Sequence, residues 1–238
     1  ISSIGFRWVF FVSGIAGIIS TLIFSRIKIR EVRRETSVPV SIKTILTIPF
    51  LDKKFGQYLS VFFMYGLGNW LSNPIYPIIL VDKLQASTLQ VGYISTITSI
   101  LSAIFYIYWG RYIDKKNPVR VLFLVFSLDF MIPLGYLLSS IKPTLIFVFI
   151  SAGISGIVNA GVDLAVMNTI LMLAPKEEIA SYMALHSTFV GIRGIIGPFL
   201  GASLYPVIGP IGIFSINIAT ALSGGFLMYR FCNSLTTT

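Results

Sequence analysis

Runs of about twenty predominantly apolar residues recur along the whole chain, each long enough to cross a hydrocarbon core of roughly 30 Å at about 1.5 Å per residue. Seven such runs predict helices over 6–25, 55–81, 88–110, 119–138, 144–173, 179–205 and 211–229. A closed barrel is the other way to satisfy backbone groups in lipid, but its strands alternate apolar and polar residues, and these runs do not. Composition agrees: 55% of the 238 residues are hydrophobic and 11% charged, against roughly 25% charged in soluble domains. The mean hydropathy is +0.86. The fold class read from the sequence is therefore an all-α, polytopic membrane protein with seven transmembrane helices, and a soluble architecture is excluded.

A net charge of +9 raises nucleic acid as a partner, but the basic residues sit in connectors between spans, where the positive-inside bias accounts for them. The link after the first helix carries Arg26, Lys28, Arg30, Arg33, Arg34, Lys43, Lys53 and Lys54. With that link on the cytoplasmic side, Arg111, Lys115, Lys116, Arg120, Lys176 and Arg230 fall on the same side. Only Arg7, Lys83 and Lys142 fall on the other, and Arg193 lies within a span. The lipid bilayer is the partner this distribution implies, nucleic acid is not, and the C-terminus is expected in the cytoplasm. Within the link, Val40, Ile42, Ile45, Leu46 and Ile48 predict a short interfacial segment bounded by Pro39 and Pro49.

Catalytic chemistry finds no foothold. Cys232 is the only cysteine and His186 the only histidine, so neither a disulfide nor a metal cluster is expected. A structural or interfacial role is expected for His186. No ATP-binding motif, cofactor signature or nucleophile–base pair is visible, and the chain reads as a non-enzyme without cofactors. It opens at Ile1 without an initiator Met, which reads as a piece of a longer protein.

One outer helix, a long basic link, then six helices with G-R-Y-I-D-K-K at 110–116 between the second and third of the six: in this order the chain resembles the C-terminal half of a major facilitator superfamily transporter. The resemblance implies that 1–25 is equivalent to helix 6 of twelve, 26–54 to the central cytoplasmic loop, 55–232 to the C-terminal six-helix bundle and 233–238 to a cytoplasmic tail. An N-terminal six-helix half is the implied missing partner. The family's cytoplasmic gate motif falls on Gly110, Arg111, Asp114 and Lys115. The sequence departs from it at Asn117, Pro118 and Val119, where a Gly and a basic pair are usual; Asn tolerates the left-handed conformation, so the turn is expected to survive. The resemblance implies that Gly110 lets helix ends approach closely and that Asp114 faces the positive N-terminal end of helix 11. Pro175, Glu177 and Glu178 read either as that helix's start or as a solvated acidic turn ahead of it.

Polar residues inside spans are expensive and therefore the better guide to function. Asp129, Asp163 and Arg193 lie near the middle of their predicted helices, the depth at which transporter sites sit. Helix 9 is peripheral in the family, so Asp129 is expected to make a helix contact. Asp163 and Arg193 are the leading candidates for a substrate or coupling-ion pathway, the competing reading being a structural ion pair between them. Asn159 lies four residues before Asp163, and Asn69 four before Asn73, so each pair shares one helix face, with Tyr65 joining the second. Asn73-Pro74 and Tyr76-Pro77 predict a distorted outer end to the helix over 55–81. Ala152, Gly156 and Ala160 form a small-residue stripe, and Ser95 to Ser102 a hydroxyl-rich stretch; both are expected to serve helix packing.

The reading is secondary active transport of a small solute across the cell membrane by alternating access, with a coupling proton or ion. A channel, a membrane scaffold or a membrane-embedded enzyme are the alternatives. The glycine-proline run at 194–202 bears some likeness to an antiporter pattern, but it occupies the wrong helix and no antiport is inferred.

Overall fold

The computed structural model describes residues 3–25 and 42–236, and the chain divides into two units, Ile1–Pro39 and Val40–Thr238. All regular elements among the described residues are helical. The first unit holds α1, Ser3–Ser25, a 23-residue apolar helix of about 35 Å, sufficient to cross a bilayer. The link charges Arg26, Lys28, Arg30, Arg33 and Arg34, with Val40 of the expected interfacial segment, lie outside the described residues.

The second unit contains α2 (Ile42–Leu51), α3 (Lys53–Ser72), α4 (Ile75–Ile78), α5 (Thr88–Lys115), α6 (Pro118–Asp129), α7 (Met131–Ile141), α8 (Ile146–Leu173) and α9 (Ile179–Thr236), with a π-helical turn over Ile79–Lys83 after α4. Among the described residues of this unit, four stretches are long and apolar enough to cross a membrane: 88–115, 118–141, 146–173 and 179–235. The last has the length for two crossings. Its backbone leaves helical geometry at Gly209, with φ 63° and ψ −175°, a region open essentially to glycine, and Pro210 behind it excludes a return to the helical well.

The partners of α3 show that α9 folds back there. Along its first arm, Arg193, Gly197 and Gly201 meet Gly66, Trp70 and Leu71 in ascending order; along the second, Thr220 meets Gly68 and Gly224 meets Tyr65 in descending order. At Gly197 an added Cβ would lie 3.0 Å from the Trp70 carbonyl carbon, and at Gly201 it would collide with the Leu71 carbonyl oxygen. The G-x-x-x-G pair inside 194–202 is thus a close helix crossing.

Proline places the breaks in the rods. Pro74 and Pro77 cannot donate to the carbonyls four residues back, and α3 stops at Ser72 with α4 and the π-turn continuing the path. Pro133 likewise leaves the Asp129 carbonyl without its helical donor, and the rod breaks between α6 and α7.

Long α5 buries only Ile94 and Trp109. It is fastened to α8 by Thr98 Oγ1 donating to the Ala152 carbonyl at 3.0 Å, Ser102 Oγ to that of Gly156 at 3.0 Å, and Trp109 Nε1 to that of Ile157 at 3.0 Å. A Cβ on Gly156 would come within 2.9 Å of the Leu101 Cβ. The hydroxyl run and the small-residue stripe therefore meet each other, while Ser95, Thr96 and Ser99 of the same run stay on the exposed face.

Several local expectations are corrected. The interfacial segment does not stop at Pro49: α2 runs through it to Leu51, and it packs on α3 where a Cβ at Gly56 would collide with the Pro49 carbonyl. Helix α5 continues past Gly110 to Lys115, so Arg111, Asp114 and Lys115 form its last turn rather than a connector. Asn117 is not left-handed (φ −69°, ψ 131°); its side chain caps α6 by accepting from Val119 N, with Pro118 in the first turn. The penultimate rod starts at Ile179, as read from the sequence, and Lys176, Glu177 and Glu178 form a turn ahead of it, the acidic-turn alternative rather than the helix start.

Candidate functional site

A cavity of about 490 Å³ opens on one face of the bundle. Helix α3 lines it with Tyr65, Asn69, Trp70 and Asn73, and α8 with Ser155, Asn159 and Asp163. Tyr76 of α4, Asp129 of α6 and Arg193 of α9 complete its polar wall. Asp163, Arg193, Asn159, Asn69, Asn73 and Tyr65, the six residues singled out from the sequence, thus share one lining. Four-residue spacing brings each asparagine to the face of its partner.

Asp129 ties α6 to α3 and also faces the cavity. Its side chain is 3% exposed, and its Oδ2 accepts from Asn69 Nδ2 at 2.7 Å. Tyr65 is held by stacking on Phe126, with ring centroids 3.6 Å apart. The helix contact expected of Asp129 is present, and the cavity role is additional. Only the family's peripheral helix 9 kept it out of the candidate set, since its depth was already plain.

Arg193 reaches from α9 onto α3. Its Nη1 donates to the Phe62 carbonyl at 2.8 Å, and Cζ stands 4.1 Å over the centroid of the Phe62 ring, a cation–π arrangement. The guanidinium fills the space beside Gly66 that a Cβ would occupy. It is 8% exposed, and its buried Nε has no hydrogen-bond partner.

No ion pair joins Arg193 to Asp163. Asp163 is exposed to the cavity, and its Oδ2 accepts from the Tyr106 hydroxyl at 2.5 Å. Asn159, one turn earlier, donates to Ser155 Oγ at 3.2 Å. Tyr106 comes from α5, a helix from which the sequence reading drew only the gate motif at its end; nothing in the apolar setting of Tyr106 distinguishes it from Tyr108 nearby.

A second cavity of about 400 Å³ lies towards the start of α9, among Phe62, Met183, His186 and Ser187. Val162, Asp163 and Arg193 border both cavities and form the waist between them. His186 is buried against α3: its ring lies 4.5 Å from that of Phe62, and its Nδ1 is 3.4 Å from the Tyr58 hydroxyl. That is the interfacial placement expected of it. Among the described residues no group of His, Cys, Asp and Glu is arranged to hold a metal ion.

The gate motif stands apart from both cavities. Arg111, Asp114 and Lys115 are exposed at the end of α5, and Asp114 has no hydrogen bond or ion pair among the described residues. A Cβ at Gly110 would meet nothing within 4 Å, so close approach is not its role in this conformation. The acid that does reach the α9 start is Asp52. It caps α3 by accepting from Phe55 N at 3.0 Å and accepts from the Tyr182 hydroxyl at 3.0 Å.

Residues 58–235, from the middle of α3 to the end of α9, match the profile of the major facilitator superfamily. The chain belongs to the major facilitator superfamily. No curated protein and no solved structure matched it. As a major facilitator protein it is an integral, multi-pass membrane protein and a transporter of small solutes, in a family of transporters rather than enzymes. The cavity is where this member gathers its intramembrane charges.

Proposed function

We propose that this chain contributes one half of a secondary active transporter, in which the 55–232 bundle rocks against a second six-helix bundle around the cavity lined by Asp163, Arg193, Asn159, Asn69, Asn73 and Tyr65. The single observation that carries the reading is the convergence of three intramembrane charges, Asp129, Asp163 and Arg193, on one open cavity. Charges in a span are rare and face pathways or partners, and midplane sites at bundle interfaces are how secondary transporters bind. In this reading 1–25 is an outer transmembrane helix, 26–54 the central cytoplasmic loop and 233–238 a cytoplasmic tail, in the cell membrane. Gly110, Arg111, Asp114 and Lys115 act as a gate that engages in a conformation other than this one. A proton or ion gradient supplies the energy.

Counterflow in proteoliposomes of the full-length carrier tests this. Internal unlabelled solute should drive transient, saturable accumulation of the labelled form, across a panel of amino acids, sugars and organic acids. Non-saturating flux without counterflow would mark a channel instead.

A further inference from the structure

The waist between the two cavities leaves two opposite charges half-used. Nη1 of Arg193 is engaged by the Phe62 carbonyl and Nε is buried without an acceptor, so Nη2 is the guanidinium nitrogen whose donors no described residue claims. Asp163 uses Oδ2 for Tyr106, and Oδ1 accepts from no protein donor. The two residues border the same two cavities, yet no ion pair closes between them. Asp129, the third charge of the lining, is already held by Asn69.

We infer that the waist binds a small zwitterion, its carboxylate on Nη2 of Arg193 and its ammonium on the free oxygen of Asp163. The inference rests on the carrier reading and names its solute class. Charge balance decides against the simpler ligands. A monoanion would satisfy Arg193 but lie beside an uncompensated Asp163; a monocation would leave the buried guanidinium unpaired. Unpaired charge at this depth is what a membrane protein avoids. A zwitterion closes both ends at once. The asparagines at 69, 73 and 159 are left to meet the polar body of the solute.

The test uses the full-length carrier in detergent, with thermal stabilisation as readout and matched ligand sets as probes. Each set holds an ω-amino acid, the alkanoate and the alkylamine of the same length, from 3-aminopropanoate to 6-aminohexanoate. The zwitterion should stabilise the protein at one or two lengths where the matched anion and cation do not. Asp163→Asn, at an exposed position, should reverse that preference towards the alkanoate. Arg193→Gln should weaken zwitterion binding about 30-fold or more, as expected when one partner of a buried charge pair is removed, with Arg193→Lys intermediate. Equal stabilisation by anion or cation, no zwitterion preference at any length, or an unchanged preference in Asp163→Asn would each overturn the inference. The two readings separate cleanly. Zwitterion binding without its counterflow would sink the carrier reading and leave the ligand class standing, whereas counterflow of a solute that no zwitterion competes with would do the reverse.

Discussion

Arg193 lies across α3 at Gly66, its guanidinium occupying the space that any side chain at that position would fill. A residue of the first arm of α9 is thereby locked to α3 through the Phe62 carbonyl and ring, and this cation, the one buried among the described residues, stands in the cavity lining. Gly66→Ala meets only the mobile end of a side chain, so the fold should lose about 1 kcal/mol, at the low end for overpacking. Transport should fall much further, because the guanidinium is displaced. Thermal stability and solute flux measured on the same preparation check this; parallel losses in both would place Gly66 in packing alone.

Gly201 is the contrasting case. Its added Cβ would strike the Leu71 backbone, which cannot swing aside. Gly201→Ala should therefore destabilise by about 1–3 kcal/mol and lower the yield of folded protein. A melting temperature unchanged from wild type would contradict the close α3–α9 crossing.

Asn69 and Asp129 should be energetically coupled. Truncating Asn69 to Ala removes a donor from a buried carboxylate, at a cost of about 1–3 kcal/mol. Asp129→Asn removes the charge that made the donor necessary. A double-mutant cycle on thermal or denaturant stability should give a coupling of about 0.5–3 kcal/mol. Strict additivity would mean that the 2.7 Å contact contributes nothing.

At the α5–α8 seam the hydroxyl bonds and the glycine differ in weight. Ser102→Ala should cost only about 0.6 kcal/mol, the usual scale for an interhelical hydrogen bond in a membrane. Gly156→Val should cost several times more, because the Thr98 carbonyl, the Leu101 Cβ and the Ser102 nitrogen crowd the site. Unfolding in mixed micelles distinguishes them, and equal effects would argue against close packing at Gly156.

Much of this was legible in the sequence, for a physical reason: lipid leaves few options, and a charge or amide within an apolar run must face something polar. That logic alone collected Asn69, Asn73, Asn159, Asp163 and Arg193 onto one lining. Prolines 74 and 77 announced a helix break for an equally local reason, whereas the break ahead of Pro133 divides a helix read as continuous over 119–138. What stayed hidden depends on which helix faces touch. Gly110, Gly156 and Gly201 look alike in sequence, yet only the last two have a neighbour in contact. The engagement of Asp163 by Tyr106 joins helices far apart in the chain, as does that of Arg193 by Phe62. Nothing in either local pattern announces these contacts, and the ion pair that opposite charges at one depth invited does not form.

Orientation follows from the asymmetry of basic residues, and exposure decides where to probe it. Ser139, in the α7–α8 region, is buried and donates to the Thr144 carbonyl, whereas Lys142 and Lys116 are exposed. In a Cys232→Ser background, Lys142→Cys should react with an impermeant thiol reagent only from outside the cell and Lys116→Cys only from within. The opposite pattern would invert the topology.

The central claim, that the cavity is the path of the solute, is tested most directly at Asn159, which is exposed and lines the cavity. Asn159→Cys in the same background of full-length carrier should react with a small impermeant thiol reagent from both sides of sealed vesicles, since alternating access opens one site to each side in turn. A cysteine that reacts from one side only, or from neither, would contradict it.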